Sequence, residues 1–391
     1  MSGKIPYDDF TGSKFRTKGI RKLTQSDDFY GIAPLADILE EVLSKLFNRS
    51  GFDVSFWLID TFSKNTRVQF TLKPTVGLID VITSVDVFID QYLIETLNAM
   101  NLLYFHNASE CDYVKYLNKL TADECFSVGL IAETLKIIRT YTSLKYNFSD
   151  NLDKSIVSKA ISFAALQQIY IILHEFAHVL LKCEIVKDSR FLFVKEQVLT
   201  LLKNNSPSVT DSEINNFISK NIKLFDECYC DSFAIETIFV VVNDLDREYT
   251  YCDVCEALFL ALNHLHIIET VKDIVLGREI DLSLQLVIRQ LFLESYMPTQ
   301  GFRRLHPDLF LGDSFRACEK SSDKDIIIQT DKVIESITDP FIDKMVAVSA
   351  YYSNINIVEL LHSIMSEPRA TNIMDTDGLA VTCSELLKQL I

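Results

Sequence analysis

At 391 residues and 48% hydrophobic content, the chain is long enough to bury an extensive core and to form two or three packed units. Its formal net charge of -16 opposes close approach to phosphate backbones, which argues against DNA or RNA as a main partner. Nine cysteines, an odd number spread from Cys111 to Cys383, do not resemble the dense disulfide framework of a small secreted domain, so reduced thiols are expected.

The N-terminus, MSGKIPYDDFTGSKFRTKG, has no apolar stretch behind its basic residues, and no secretory signal peptide is expected. The basic run Lys14, Arg16, Lys18, Arg21 and Lys22 reads as a solvated leader, with contact to an acidic partner or anionic surface as the alternative. Residues 1–50 are taken as this leader and a helix. Segments 53–60, 66–73 and about 77–90 are rich in β-branched and aromatic residues between short polar breaks, and they predict strands of an α/β region spanning 51–148.

From Gln91 onward the spacing becomes helical, over 91–105, 127–146, 154–184, 190–203, 211–221, 223–242, 254–275 and 281–295. The break NNSPS at 204–208 is followed by Thr210 and Glu213, a capping box that starts a helix of an insertion at about 185–222. Met297 to Lys320, with Pro298, Gly301, Pro307 and Gly312, predicts a long ordered loop. Helices near 341–365 and 377–390 belong to a C-terminal helical region, 321–391. The fold class expected is α+β, predominantly α-helical, with a small N-terminal sheet.

The most apolar segments are interrupted or short. Ile161 to Leu181 carries Gln167, Gln168, His174, Glu175 and His178, and Phe233 to Val242 falls short of the ~20 residues that cross a bilayer. A soluble cytoplasmic protein with no membrane partner is expected.

Chemistry concentrates in QQIYIILHEFAHVLLKC, residues 167–183, which contains HExxH. On a helix, His174 and His178 project from one face and both imidazoles reach one tetrahedral ion. Glu175 lies about 100° around the helix, where it can hold an activated water without ligating. A bare HExxH arises by chance in roughly one chain in a hundred of this size, so its surroundings matter. Ile171, Ile172, Leu173, Phe176, Ala177, Val179, Leu180 and Leu181 make the helix apolar on nearly every side and therefore buried. A carboxylate and two imidazoles inside such a helix need compensation, which a Zn2+ ion, one per chain, supplies. Core histidines satisfied by hydrogen bonds are the bland alternative.

A third ligand is expected from LFDECYCDSFAIETIF, residues 224–239. Glu227 can bind the metal while Asp231, one turn on, accepts from the far nitrogen of a ligand histidine. Asp226 and the thiols of Cys228 and Cys230 compete for the same role.

HExxH followed 49 residues later by ExxxD resembles the gluzincin metallopeptidases, especially the HtpX-like and CaaX-prenyl-protease-like group, whose second motif is similar to the E-C-Y-C-D here. That group also carries a His-Pro and a downstream Arg, for which FRRLHPDLFLGDSFRAC offers His306, Pro307 and Arg316. The resemblance implies a zincin-like catalytic domain over 149–320, with His306 binding the substrate carbonyl or developing oxyanion and Arg316 buttressing the site. Asp308 stands where the group has a small residue or Pro, Arg316 lies further along, and the prenyl proteases' membrane helices are missing. A chain with IILHEFAH, a late His-Pro and a preceding small sheet is most similar to the soluble phage-exclusion peptidase Lit and its relatives. That likeness implies a host-defence protease cutting an abundant cytosolic protein.

Three readings compete: a zinc endopeptidase, an ImmA-like regulatory peptidase acting on a repressor, and an inactive binding protein clamped by its metal. An intact Glu175 favours a peptidase, because a structural site needs no base. Tyr296 is a second candidate oxyanion donor, and a strand between 66 and 83 can pair with extended substrate. Cys252 with Cys255, a single CxxC, and His264 with His266, two apart on a helix, read as structural.

Overall fold

A computed structural model describes residues 20–23, 32–47, 51–59, 64, 66–73, 81–143, 153–182, 189–205, 210–243, 249–278, 286–293, 296–297, 342–352, 355 and 357–366. Among them the chain is mostly helical, with one four-stranded sheet near the N-terminus. The residues 14–18 of the basic run, most of the expected long loop with His306, Pro307, Asp308 and Arg316, and the expected helix at 377–390 lie outside the described residues.

The strands are β1 (Ile20–Lys22), β2 (Asp53–Ile59), β3 (Arg67–Lys73) and β4 (Val81–Asp90), in the order β1-β2-β4-β3. β2 runs parallel to β4, with Asp53 opposite Ser84 and Ile59 opposite Asp90. β3 runs antiparallel to β4, from Arg67 opposite Phe88 to Lys73 opposite Val81, with an irregularity at Thr71/Leu72. Strand β4 is covered on both faces, Val85, Val87 and Ile89 entering the main core and Phe88 packing on the other face with Ile59, Ile20 and Trp57. β3 lies at an edge. Between β1 and β2 runs helix α1 (Ile32–Phe47), whose Leu35, Leu39 and Leu43 recur at helical spacing and enter the core.

Asp90 ends β4 and starts α2 (Gln91–Phe105), one carboxylate oxygen accepting from the Tyr92 amide at 3.0 Å and the other from the Lys64 amide at 3.0 Å. Next come α3 (Glu110–Ser127) and α4 (Ile131–Ser143). Helix α3 was not among the helices expected from the sequence, although Tyr113, Tyr116, Leu117 and Leu120 recur at helical spacing and are buried. A capping box between Ser109 and Asp112 starts it. The helix expected from 127 starts at Ile131 because Gly129, at φ 83°, supplies the left-handed residue that ends α3.

The core is built around α5 (Lys154–Lys182), which packs on β3, α2, α8 (Ile222–Asn243) and α9 (Tyr251–Leu276). Its apolar residues point in all directions because neighbours surround it. Phe176 meets Phe70 edge-on at 5.5 Å and stacks on Phe233 at 5.9 Å, tying helix, sheet and α8 together. Buried Gln167 exchanges amide hydrogen bonds with Asn101 of α2, both 3.0 Å, and also donates to the Ala257 carbonyl of α9 at 3.3 Å. These bonds fix the rotation of α5 and hence where its histidines point.

Two shorter helices, α6 (Ser189–Asn205) and α7 (Asp211–Lys220), intervene before α8. The expected capping box is present: Thr210 donates its amide to Glu213 at 2.9 Å, and Glu213 returns its amide to the Thr210 hydroxyl at 3.4 Å. Helical residues 286–293 follow α9, and the helix expected over 341–365 appears as helical residues 342–352 and α10 (Ile357–Ser366). Two helices, Lys154–Leu181 and Tyr251–Leu276, are long and apolar enough to cross a membrane by composition, but 67% and 83% of their most apolar windows are buried inside the protein. Both serve as core helices.

Candidate metal centre

The antiparallel packing of side chains between α5 and α8 brings His174, His178 and Glu227 together. His174 Nε2 lies 3.1 Å from a Glu227 carboxylate oxygen, and His178 Nε2 lies 3.3 Å from the other. The two Nε2 atoms are 3.1 Å apart. Two atoms each bonded at about 2.05 Å to a tetrahedral ion are separated by about 3.3 Å. The two imidazole nitrogens therefore have about the spacing of ligands around one small cation, and Glu227 turns a different carboxylate oxygen to each of them.

Asp231, one turn beyond Glu227, is fully buried and faces the other side of His174. Its carboxylate accepts from His174 Nδ1 at 2.9 Å, which turns the Nε2 edge of the ring toward His178 and Glu227. Tyr170, on the same face of α5 one turn before His174, also donates its hydroxyl to Asp231. Arg289, from helical residues 286–293, makes a two-pronged contact with the same carboxylate at 2.8 and 2.7 Å and places its remaining terminal nitrogen 3.2 Å from Glu227.

The charges are mutually dependent. Burial raises the Asp231 carboxyl, but the Arg289 charge and the bond from His174 outweigh it and bring it to about 2. Glu227 is likewise raised by burial and lowered further by its bonds to His174 and His178 and by Arg289, with a net shift well below the usual carboxylate range. Burial depresses His174, yet its bonds to Asp231 and Glu227 prevail and lift it to about 9. Converging lone pairs and carboxylates thus retain a proton at His174 where no metal displaces it.

The thiol of Cys230 belongs to the same cluster. Its sulfur and the ligand nitrogens of His174 and His178 all lie within 4.8 Å of one another, and this buried group can hold a metal ion. Glu227 and Cys230 are both available as a further ligand. Cys228, the other thiol considered from the sequence, is buried but stands outside that group. Asp226 is half-buried, with burial raising its carboxyl, and among the described residues no hydrogen bond or ion pair joins it to the histidines.

A cavity of about 410 Å³ opens on one side of the centre. His174, His178 and Glu227 form part of its wall, and Glu175 lines it beside them. Across from α5, Lys64, Thr66 and Arg67 contribute from the start of the edge strand, with Leu265 and Glu269 from α9. Tyr296, the other oxyanion donor considered from the sequence, donates its hydroxyl to Glu236 and is not among the residues that line this cavity. His264 is fully buried against the Tyr352 hydroxyl at 2.6 Å, a structural role as expected.

Two residues of this centre escaped the sequence reading. Arg289 sits in LVIRQLFL, and a lone cation among apolar residues signals a buried charge with an acidic partner. Tyr170 sits four residues before His174, on the stripe the metal motif itself defines. Comparison with protein-family models, with curated proteins and with solved structures finds no match.

Proposed function

We propose that the chain is a zinc-dependent endopeptidase of the zincin-like, gluzincin type, with His174, His178 and Glu227 as ligands and Glu175 as general base. The observation that carries this reading is the 3.1–3.3 Å convergence of the two Nε2 atoms and the Glu227 carboxylate beside an open cavity. Two imidazoles and one carboxylate leave a position for substrate, the ligand count of hydrolytic zinc sites. A bound zinc ion supplies Lewis acidity to the scissile carbonyl and acidifies a water to near-neutral pKa.

The chain's own groups do the rest. Glu175 is placed on the cavity wall to take the proton of the attacking water and deliver it to the leaving amine. Asp231 orients the His174 ring, and Arg289 contacts both Asp231 and Glu227, so that a buried and a half-buried carboxylate coexist one turn apart. The edge position of β3, with Thr66 and Arg67 on the cavity wall, supports pairing of extended substrate alongside α5. The likeness of IILHEFAH, the late His-Pro and the preceding small sheet to the Lit group supports a cytosolic protein as substrate and a setting in phage defence. On that likeness His306 serves as oxyanion donor and Arg316 as its support.

Comparison of the proteomes of cells expressing the wild type and Glu175→Gln tests the activity. New termini from one or a few proteins in the wild type alone are expected. Identical cleavage in both would remove Glu175 from the mechanism.

A further inference from the structure

We propose that Cys230 is a reserve fourth donor to this centre, within reach of an ion that His174, His178 and Glu227 would hold. The inference rests on the metal reading above and extends its ligand set.

Glu227, Cys230 and Asp231 fall at i, i+3 and i+4 of α8, which puts all three on the helix face turned toward the histidines of α5. Glu227 and Asp231 are each within hydrogen-bond distance of His174, and Cys230 completes the same face with its sulfur within 4.8 Å of both imidazoles. Cys230 is fully buried and absent from the cavity wall that His174, His178 and Glu227 share. It therefore approaches from the protein side, while water and substrate approach from the cavity.

The distances leave the thiol poised. Bonds of about 2.05 Å to nitrogen and about 2.3 Å to sulfur put tetrahedral ligands about 3.6 Å apart. A separation of at most 4.8 Å is thus closed by a shift of about 1.2 Å or less. Zinc accepts imidazole, carboxylate and thiolate together, and four protein donors are the hallmark of structural sites whereas three leave the hydrolytic position open. With an ion bound, ligation by Cys230 would exchange its S–H bond for a sulfur–metal bond and release one proton, with no change of oxidation state.

Zinc K-edge X-ray absorption on the full-length zinc-loaded chain tests this without reference to activity. One sulfur scatterer at about 2.3 Å is expected beside nitrogen and oxygen at about 2.0–2.1 Å. Cys230→Ser should lose that sulfur while still binding zinc, and Cys228→Ser should keep it. A shell of nitrogen and oxygen alone around bound zinc overturns the role of Cys230 and leaves the metal centre standing. No bound zinc at all overturns the metal reading itself. Should Cys230→Ser fail to fold, loss of sulfur in Cys228→Ser or its persistence in Cys230→Ala assigns the scatterer to another thiol and overturns the proposal.

Discussion

Asp231 accepts a hydrogen bond from His174 Nδ1 at 2.9 Å while Arg289 grips the same carboxylate at 2.7 and 2.8 Å. One buried acid thereby orients an imidazole and is itself fixed by a guanidinium. Asp231→Asn keeps the shape and removes the charge. Metal affinity, measured by competition with a chromophoric chelator, should fall about 10–100-fold. Unchanged affinity would mean that His174 is oriented by its helix alone.

Arg289 is the more demanding partner for stability. Its loss leaves Asp231 buried with its charge uncompensated, and Glu227 loses a neighbouring cation. Arg289→Gln should lower the unfolding free energy by about 3–5 kcal/mol in urea titrations, the usual cost of breaking a buried ion pair from one side. A loss below about 1 kcal/mol would show the pair to be solvated in solution.

How much of this was legible in the sequence differs by feature. His174, Glu175, His178, Glu227 and Asp231 stand out because metal chemistry needs particular residue types at helical spacing, and the structure brings all five to one place. The edge position of β3 was visible only as a strand, since pairing order is decided by contacts distant in sequence. Helix α3 was passed over because its apolar stripe, Tyr113, Tyr116, Leu117 and Leu120, is short and set among charged residues, with its start marked by the Ser109–Asp112 cap. Arg289 was passed over because it lies 58 residues from its partner.

Phe176 joins the metal helix to the sheet through Phe70 and to α8 through Phe233. Phe176→Ala should cost about 3–5 kcal/mol by cavity formation. Because the residue is interleaved between the two ligand histidines, metal affinity should fall with it. Retained affinity would mean that His174 and His178 keep their orientation without this packing.

His264 makes stability depend on pH away from the metal centre. Burial lowers it from 6.5 to about 3, so the folded chain keeps it neutral where the unfolded chain binds a proton. Between about pH 6.5 and pH 3 the unfolded state therefore gains protons that the folded state does not, and stability falls on acidification by about 1.4 kcal/mol per pH unit from this group. Above pH 6.5 both states are neutral and the contribution is flat. His264→Gln should have a shallower decline over that window, read as the difference between wild-type and variant unfolding curves. Parallel declines would show that His264 becomes protonated without unfolding.

The central claim is that two helices deliver three donors to one ion, and metal content measures it most directly. After reconstitution and removal of loosely bound ions, elemental analysis of the wild-type chain should give about one zinc per chain. His178→Ala and Glu227→Ala, each folded by circular dichroism, should fall well below that. Full zinc occupancy in His178→Ala, or none in the wild type, would contradict the account.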